Sequence, residues 1–70
     1  MSTPSKRLSH NIKHLRHRRN LSQEGLAREA QLTLSNVAKL EGGFNHNPTL
    51  ETLAAVAKVL TRNSIDQLLK

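Results

Sequence analysis

The 70-residue chain contains no cysteine, which excludes disulfide bonds and thiolate-bound metal ions. It also lacks any apolar run that approaches the roughly 20 residues of a membrane span. Residues 1–7 lack the apolar stretch of a secretory signal. We therefore expect one soluble, cytoplasmic domain over residues 1–70, with residues 1–4 flexible and with neither a cofactor nor a membrane partner.

Aromatic and catalytic side chains are scarce as well. Phe44 is the only aromatic residue among Phe, Tyr and Trp. Proteins that bind RNA or single strands usually stack bases on aromatic side chains, so a partner nucleic acid should be duplex DNA. Asp66 is the only aspartate, and no serine lies in a nucleophile-elbow sequence. We expect no enzymatic activity.

The basic residues are unevenly distributed. Lys and Arg number 11 against 5 Asp and Glu, a formal net charge of +6. Residues 1–19 contain all of this excess and no acidic residue, whereas the rest of the chain is balanced. A basic patch of this kind favours a polyanionic partner. A solvated helix face that only improves solubility is the alternative.

Apolar residues recur at helical spacing, and strand-type alternation is missing, which predicts an all-α fold of five short helices. The first three helices are predicted at about residues 5–19, 22–30 and 34–41. Thr49 is predicted to cap a fourth helix that ends near Asn63, and Ser64 a fifth. Either Thr3 or Ser5 could cap the first helix.

The helical periodicity also predicts which residues face the core. The first helix should bury Leu8, Ile12 and Leu15. Two further sets are expected inside: Leu50, Leu53, Ala54, Ala57 and Leu60 on the fourth helix, and Ile65, Leu68 and Leu69 on the fifth.

The second and third helices are separated by only three residues, 31–33, which is typical of a helix-turn-helix. Ala27 is small enough for the point where the two helices cross. Val37 and Leu40 should then face inward. Four short polar, basic or apolar side chains would face outward and could enter a major groove: Leu34, Ser35, Asn36 and Lys39.

The joint spacing of these residues resembles the Cro/C-repressor-type (XRE-like) helix-turn-helix regulators of phage and bacteria. The matching pattern runs through most of the chain: Ile12, Leu15, Arg16, Leu21, Ser22, Gln23, Leu26, Ala27, Val37, Leu40, Glu41, Gly43, Pro48, Thr49, Leu50, Leu53, Ala57 and Leu60. The resemblance implies a lambda-repressor-like fold and sequence-specific binding to double-stranded DNA. It further implies a repressor that acts as a homodimer on a palindromic operator.

The same resemblance implies roles for individual residues. Leu34, Ser35, Asn36 and Lys39 match positions that read base edges. Positions that contact the DNA backbone are matched by Ser22, Gln23, Thr33, His46, Asn47 and Thr49. Arg16 and Glu41 match a structural salt bridge. The chain departs from the family at Gln31, where glycine is usual and a left-handed backbone would strain any other residue.

Three alternatives remain open at this point. The same fold could serve as a protein-interaction module, such as an antitoxin-like subunit that binds a partner protein and regulates its own synthesis. Phe44 could cover the edge of the core or form a dimer contact. The spacing of His10, His14 and His17 could bind a metal ion, but no cysteine or acidic residue accompanies them, so a solvated face is favoured and no metal site is expected.

Overall fold

The computed structural model describes residues 4–43, 48–62 and 64–69, with side chains from residue 6 onward. These residues form five α-helices and no strand, which confirms the predicted all-α fold. The helices are α1 (Pro4–Arg18), α2 (Gln23–Ala30), α3 (Leu34–Gly42), α4 (Leu50–Leu60) and α5 (Ile65–Leu69). The predicted flexibility of residues 1–4 concerns positions that, except for the backbone of Pro4, lie outside the described residues.

Three helices begin with the same side-chain cap. The hydroxyl oxygens of Ser22, Thr33 and Thr49 accept hydrogen bonds from the amide N–H three residues further on, at 2.9, 3.0 and 3.1 Å. Each bond satisfies a backbone donor that has no partner inside the helix. The first helix begins at Pro4, so Ser5 lies inside it rather than capping it, and Thr3 is outside the described residues.

The core is formed by all five helices. The α1 helix packs against α3, α4 and α5, while α2 packs against α3 and α4. Eleven buried apolar residues form one cluster: Leu8, Ile12, Leu26, Ala27, Ala30, Val37, Leu40, Val56, Ala57, Leu60 and Leu68. The predicted inward positions on α1 and α3 and at Ala27 of α2 are confirmed, with Leu15 only half-buried.

The predicted inner face of α4 is wrong at two positions. Leu50 is 71% exposed and Ala54 is also exposed, whereas Val56 is fully buried. The face of α4 that packs inward contains Leu53, Val56, Ala57 and Leu60. Leu50 and Ala54 therefore lie on the flank of this face. Leu69 on α5 is likewise exposed, because Leu68 is the residue that this short helix buries.

Several helices end in a left-handed backbone conformation without a glycine. Asn20, Gln31 and Arg62 have φ values of 57°, 58° and 55°. Asn63, the predicted left-handed stop of α4, lies outside the described residues, so this prediction stays untested, and Arg62 is the left-handed residue described after α4. At the end of α2 the backbone N–H of Gln31 donates to the carbonyls of the last helical turn. The tight turn therefore requires a left-handed backbone at a residue other than glycine, which is strained.

Gly25 lies inside α2, where its low helix propensity is unfavourable. A Cβ atom at this position would lie 3.3 Å from both Leu21 Cδ2 and Ser22 Oγ. Glycine therefore leaves space for the capping hydroxyl of Ser22 and for the half-buried Leu21 side chain, which the sequence alone does not reveal.

We predict that Gln31→Gly raises the free energy of unfolding by about 0.5–1 kcal/mol. The substitution removes the cost of a left-handed backbone at a non-glycine residue, roughly 1–2 kcal/mol. Glycine also increases the backbone entropy of the unfolded chain, which offsets part of this gain in stability. Urea and thermal unfolding measure the change, with Gln31→Ala as the matched control, which keeps the strain and should show no gain. A Gln31→Gly variant less stable than wild type would contradict the strained turn.

Candidate nucleic-acid interface

The turn between α2 and α3 sets the angle at which α3 leaves the core. The Leu32 N–H donates to the Ala27 carbonyl at 2.8 Å, and the Gln31 N–H reaches the Arg28 carbonyl at 3.3 Å. Ala27 is buried where these helices meet, and Leu26 and Ala30 are buried on the same side of α2. These contacts hold α3 against the protein along one face and leave its other face uncovered.

The uncovered face of α3 differs slightly from the predicted one. Leu34 is 45% exposed, and Ser35 and Lys39 are exposed too, whereas Asn36 is half-buried at the border with the core. Ala38 is exposed between them and was not among the predicted site residues. Its position four residues after Leu34 and three after Ser35 places it on the same helix face, and this spacing could have identified it.

A small side chain at this point has a geometric consequence. Ala38 projects only a methyl group from the middle of the exposed face, flanked by the longer side chains of Leu34 and Lys39. A helix must approach base edges closely to hydrogen-bond with them inside a groove. The small side chain of Ala38 therefore leaves room for another surface to approach the middle of the outer face of α3 closely.

The three capping residues lie at helix N-termini and are exposed. Backbone amides at such ends bind phosphate without a charged side chain. Thr49 also donates its hydroxyl hydrogen to Thr52 Oγ1 at 3.0 Å, so that hydroxyl is already occupied as a donor. His46 and Asn47, the predicted loop contacts, lie outside the described residues, as does Phe44.

Arg16 and Glu41 form a bidentate ion pair between α1 and α3. Arg16 Nε donates to Glu41 Oε2 at 2.5 Å, and Nη2 donates to Oε1 at 2.9 Å. The exposed fractions of the two side chains are only 8% and 3%. Nη1 of Arg16 also donates to the Leu21 carbonyl at 2.7 Å, which ties the segment before α2 to the same guanidinium.

The ion pair extends to the first residue of α2. Gln23 Nε2 donates to Glu41 Oε1 at 3.2 Å, and the Gln23 side chain is half-buried. An amide nitrogen carries two hydrogens, so this bond leaves a second donor on Gln23. Glu41 thus orients an amide donor at the N-terminus of α2, where the helix dipole also favours an anion.

The basic residues of α1 are divided by this arrangement. Arg16 is buried and neutralised by Glu41, whereas the remaining basic side chains are exposed: Lys6, Arg7, Lys13 and Arg18, with Arg19 in the turn that follows. No acidic residue belongs to α1.

Within the described part of the chain, no group of three or more His, Asp or Glu side chains is placed to hold a metal ion. None of the described helices is long and apolar enough to cross a membrane.

A family model described as a helix-turn-helix domain matches residues 7–67. This match extends from the first turns of α1 to α5 and includes the turn between α2 and α3. No curated protein and no solved structure shows significant similarity to the chain.

We predict that Arg16→Ala and Glu41→Ala each destabilise the protein more than the double variant does. Each single variant leaves one buried charge unpaired, which costs up to about 3–5 kcal/mol, whereas removing both charges avoids that penalty. A double-mutant cycle by urea unfolding of the three variants measures the coupling energy. If the losses in the free energy of unfolding of the two single variants add up to the loss in the double variant, the two residues are not coupled.

Proposed function

Because the chain belongs to the helix-turn-helix domain family, we propose that it is a sequence-specific regulator of transcription that reads duplex DNA with α3 and acts as a repressor. The observation that carries the proposal is the outer face of α3, which is exposed along Leu34, Ser35, Ala38 and Lys39 while its inner face is buried. A binding role, rather than catalysis, is proposed, and no cofactor is required.

The chemistry of this face suits base recognition in the major groove. Lysine can donate to the O6 and N7 acceptors of guanine, and a leucine can contact the methyl group of thymine. Serine is permissive, since its hydroxyl both donates and accepts. Asn36 can pair with adenine, and its half-buried position lets it act from the edge of the face.

Phosphate contacts are proposed at the starts of the helices that flank this face. The amide groups after Ser22, Thr33 and Thr49 and the second amide hydrogen of Gln23 are the proposed donors. His46 and Asn47 are proposed to add contacts from the loop before α4. Lys and Arg side chains on α1 add long-range attraction to the duplex.

A single helix of this size reads only a few base pairs, so useful affinity calls for two copies on one site. We propose a homodimer bound to a palindromic operator, in which the half-sites lie about one helical turn, roughly 34–36 Å, apart. The chain is proposed to act as one domain in the cytoplasm, associated with the nucleoid when it is bound.

We predict that selection of bound duplexes from a random pool enriches a two-fold symmetric sequence. The half-site centres should lie about 10–10.5 base pairs apart, or a multiple of that spacing, because both copies must reach the same face of the duplex. Sequencing of the selected pool measures symmetry and spacing together. An enriched but asymmetric single site would contradict the homodimer while leaving DNA binding intact.

We predict that Ala38→Glu abolishes recognition of the selected duplex without unfolding the protein. The glutamate would introduce size and negative charge at the point of closest approach to the DNA, so affinity should fall by at least about 30-fold, or roughly 2 kcal/mol. Ala54→Glu is the matched control, since it makes the same change at an exposed alanine of α4. It should lower affinity only a few-fold through net charge.

Both variants should keep the stability of wild type within about 0.5 kcal/mol, because both alanines are exposed. Affinity is measured by fluorescence anisotropy at one fixed salt concentration, since phosphate contacts depend strongly on salt. Equal losses for the two variants would show that α3 is not the reading helix. A protein-interaction module of the antitoxin type would then be the better explanation.

A further inference from the structure

Three histidines lie along the outer face of α1, on the side away from the core. His10, His14 and His17 are all exposed, and with Lys13 they line a shallow surface depression of about 270 Å³. The proposed contacts of α3 and the helix N-termini do not use these side chains. Their arrangement therefore needs an explanation of its own.

His10 and His14 are paired with each other. Their ring centroids lie 6.1 Å apart, and the ring planes are inclined by only 6°. The two residues are one helical turn apart, the spacing at which side chains on a helix surface are neighbours. Within the described residues, neither imidazole forms a hydrogen bond, so the nitrogen atoms of both rings are available as ligands.

His17 differs from this pair because it contacts Arg16. Its Nε2 lies 3.1 Å from Arg16 Nη2. A guanidinium group can only donate, so Nε2 must accept, and the proton of the neutral ring is then on Nδ1. Since Glu41 holds the same guanidinium, His17 is bonded to the buried ion pair and would lose this hydrogen bond if its ring turned toward the other two.

We propose that His10 and His14 form a two-histidine site for a first-row divalent transition metal such as Zn²⁺. Neutral imidazole is a preferred ligand of these ions, with metal–nitrogen distances of about 2.0–2.1 Å for zinc. Because both rings are exposed, rotation of the side chains alone can bring two ring nitrogens to one ion without movement of the helix. Water molecules complete the coordination.

The neighbouring charges shape the affinity of this site. No carboxylate of α1 can take part, and Lys13 adds a positive charge beside the depression. The lysine stem is long and flexible enough to keep its ammonium group in solvent, away from the ion. Removing this charge by Lys13→Gln should strengthen metal binding, since a like charge in solvent is weakly repulsive.

The test is calorimetric titration of the full chain with zinc chloride, with wild type compared with His10→Ala, His14→Ala and His17→Ala. Wild type should bind one ion per chain. His10→Ala and His14→Ala should each weaken binding by roughly tenfold or more, because the second imidazole otherwise binds intramolecularly at high effective concentration. His17→Ala should keep the wild-type affinity within about threefold.

A second measurement separates metal binding from loss of structure. All three alanine variants should keep the helical circular dichroism of wild type, because the sites are exposed and alanine favours helix. Zinc should raise the melting temperature of wild type and of His17→Ala, since the ion binds the folded helix, and should leave His10→Ala unchanged. Two results would overturn the two-histidine site. One is an equal loss of zinc affinity in all three variants, and the other is an unchanged zinc affinity in His10→Ala and His14→Ala.

Discussion

The buried ion pair between Arg16 and Glu41 is the interaction on which the rest of the molecule depends. It joins the end of α1 to the end of α3, and through the Leu21 carbonyl and Gln23 it also fixes the start of α2. Desolvation of two charges offsets much of their attraction, so the pair adds little net stability. Its hydrogen bonds are directional, so they define the relative orientation of three helices. Nonpolar contacts are not directional and define this orientation less specifically.

This orientation matters because the chain is short. A domain of this size buries only about 60% of the surface of its unfolded chain, and the buried cluster formed by the described residues contains no aromatic side chain. Each Ser or Thr cap contributes about 1 kcal/mol and is therefore a considerable part of a small total. Against this, Asn20, Gln31 and Arg62 have left-handed backbones that a glycine would adopt at lower cost. The short turn at Gln31 is what brings α3 out at an angle from α2.

The α1 helix has two faces with different chemistry. Its inner side contributes Leu8, Ile12 and Arg16 to the core and the ion pair. Its outer side carries exposed basic residues and the paired imidazoles of His10 and His14. His17 connects the two sides, because it is exposed but accepts a hydrogen bond from the buried guanidinium. A metal ion on the outer side would therefore bind the same helix that orients the proposed DNA-binding elements.

The sequence by itself determined the five helices, their caps at Ser22, Thr33 and Thr49, and the three-residue turn before α3. Capping and helical periodicity are local, so they depend on residues three or four positions apart and can be read without knowing the fold. The pairing of Arg16 and Glu41 is not local, because the two residues are 25 positions apart, and it was implied only by the resemblance to the helix-turn-helix regulators.

Only the tertiary structure decided which flank of each helix is covered. Leu50 and Ala54 fit the apolar pattern of α4 but are exposed, while Val56 is buried. Asn36, which was predicted to face outward, lies half-buried at the edge of the outer face of α3, and the exposed Ala38 lies in the middle of that face. The bond from Gln23 to Glu41 and the one from Arg16 to His17 were also unpredicted. Helical periodicity defines an apolar arc, but the neighbouring helices decide how much of that arc is removed from water, and their positions depend on contacts between residues far apart in the chain.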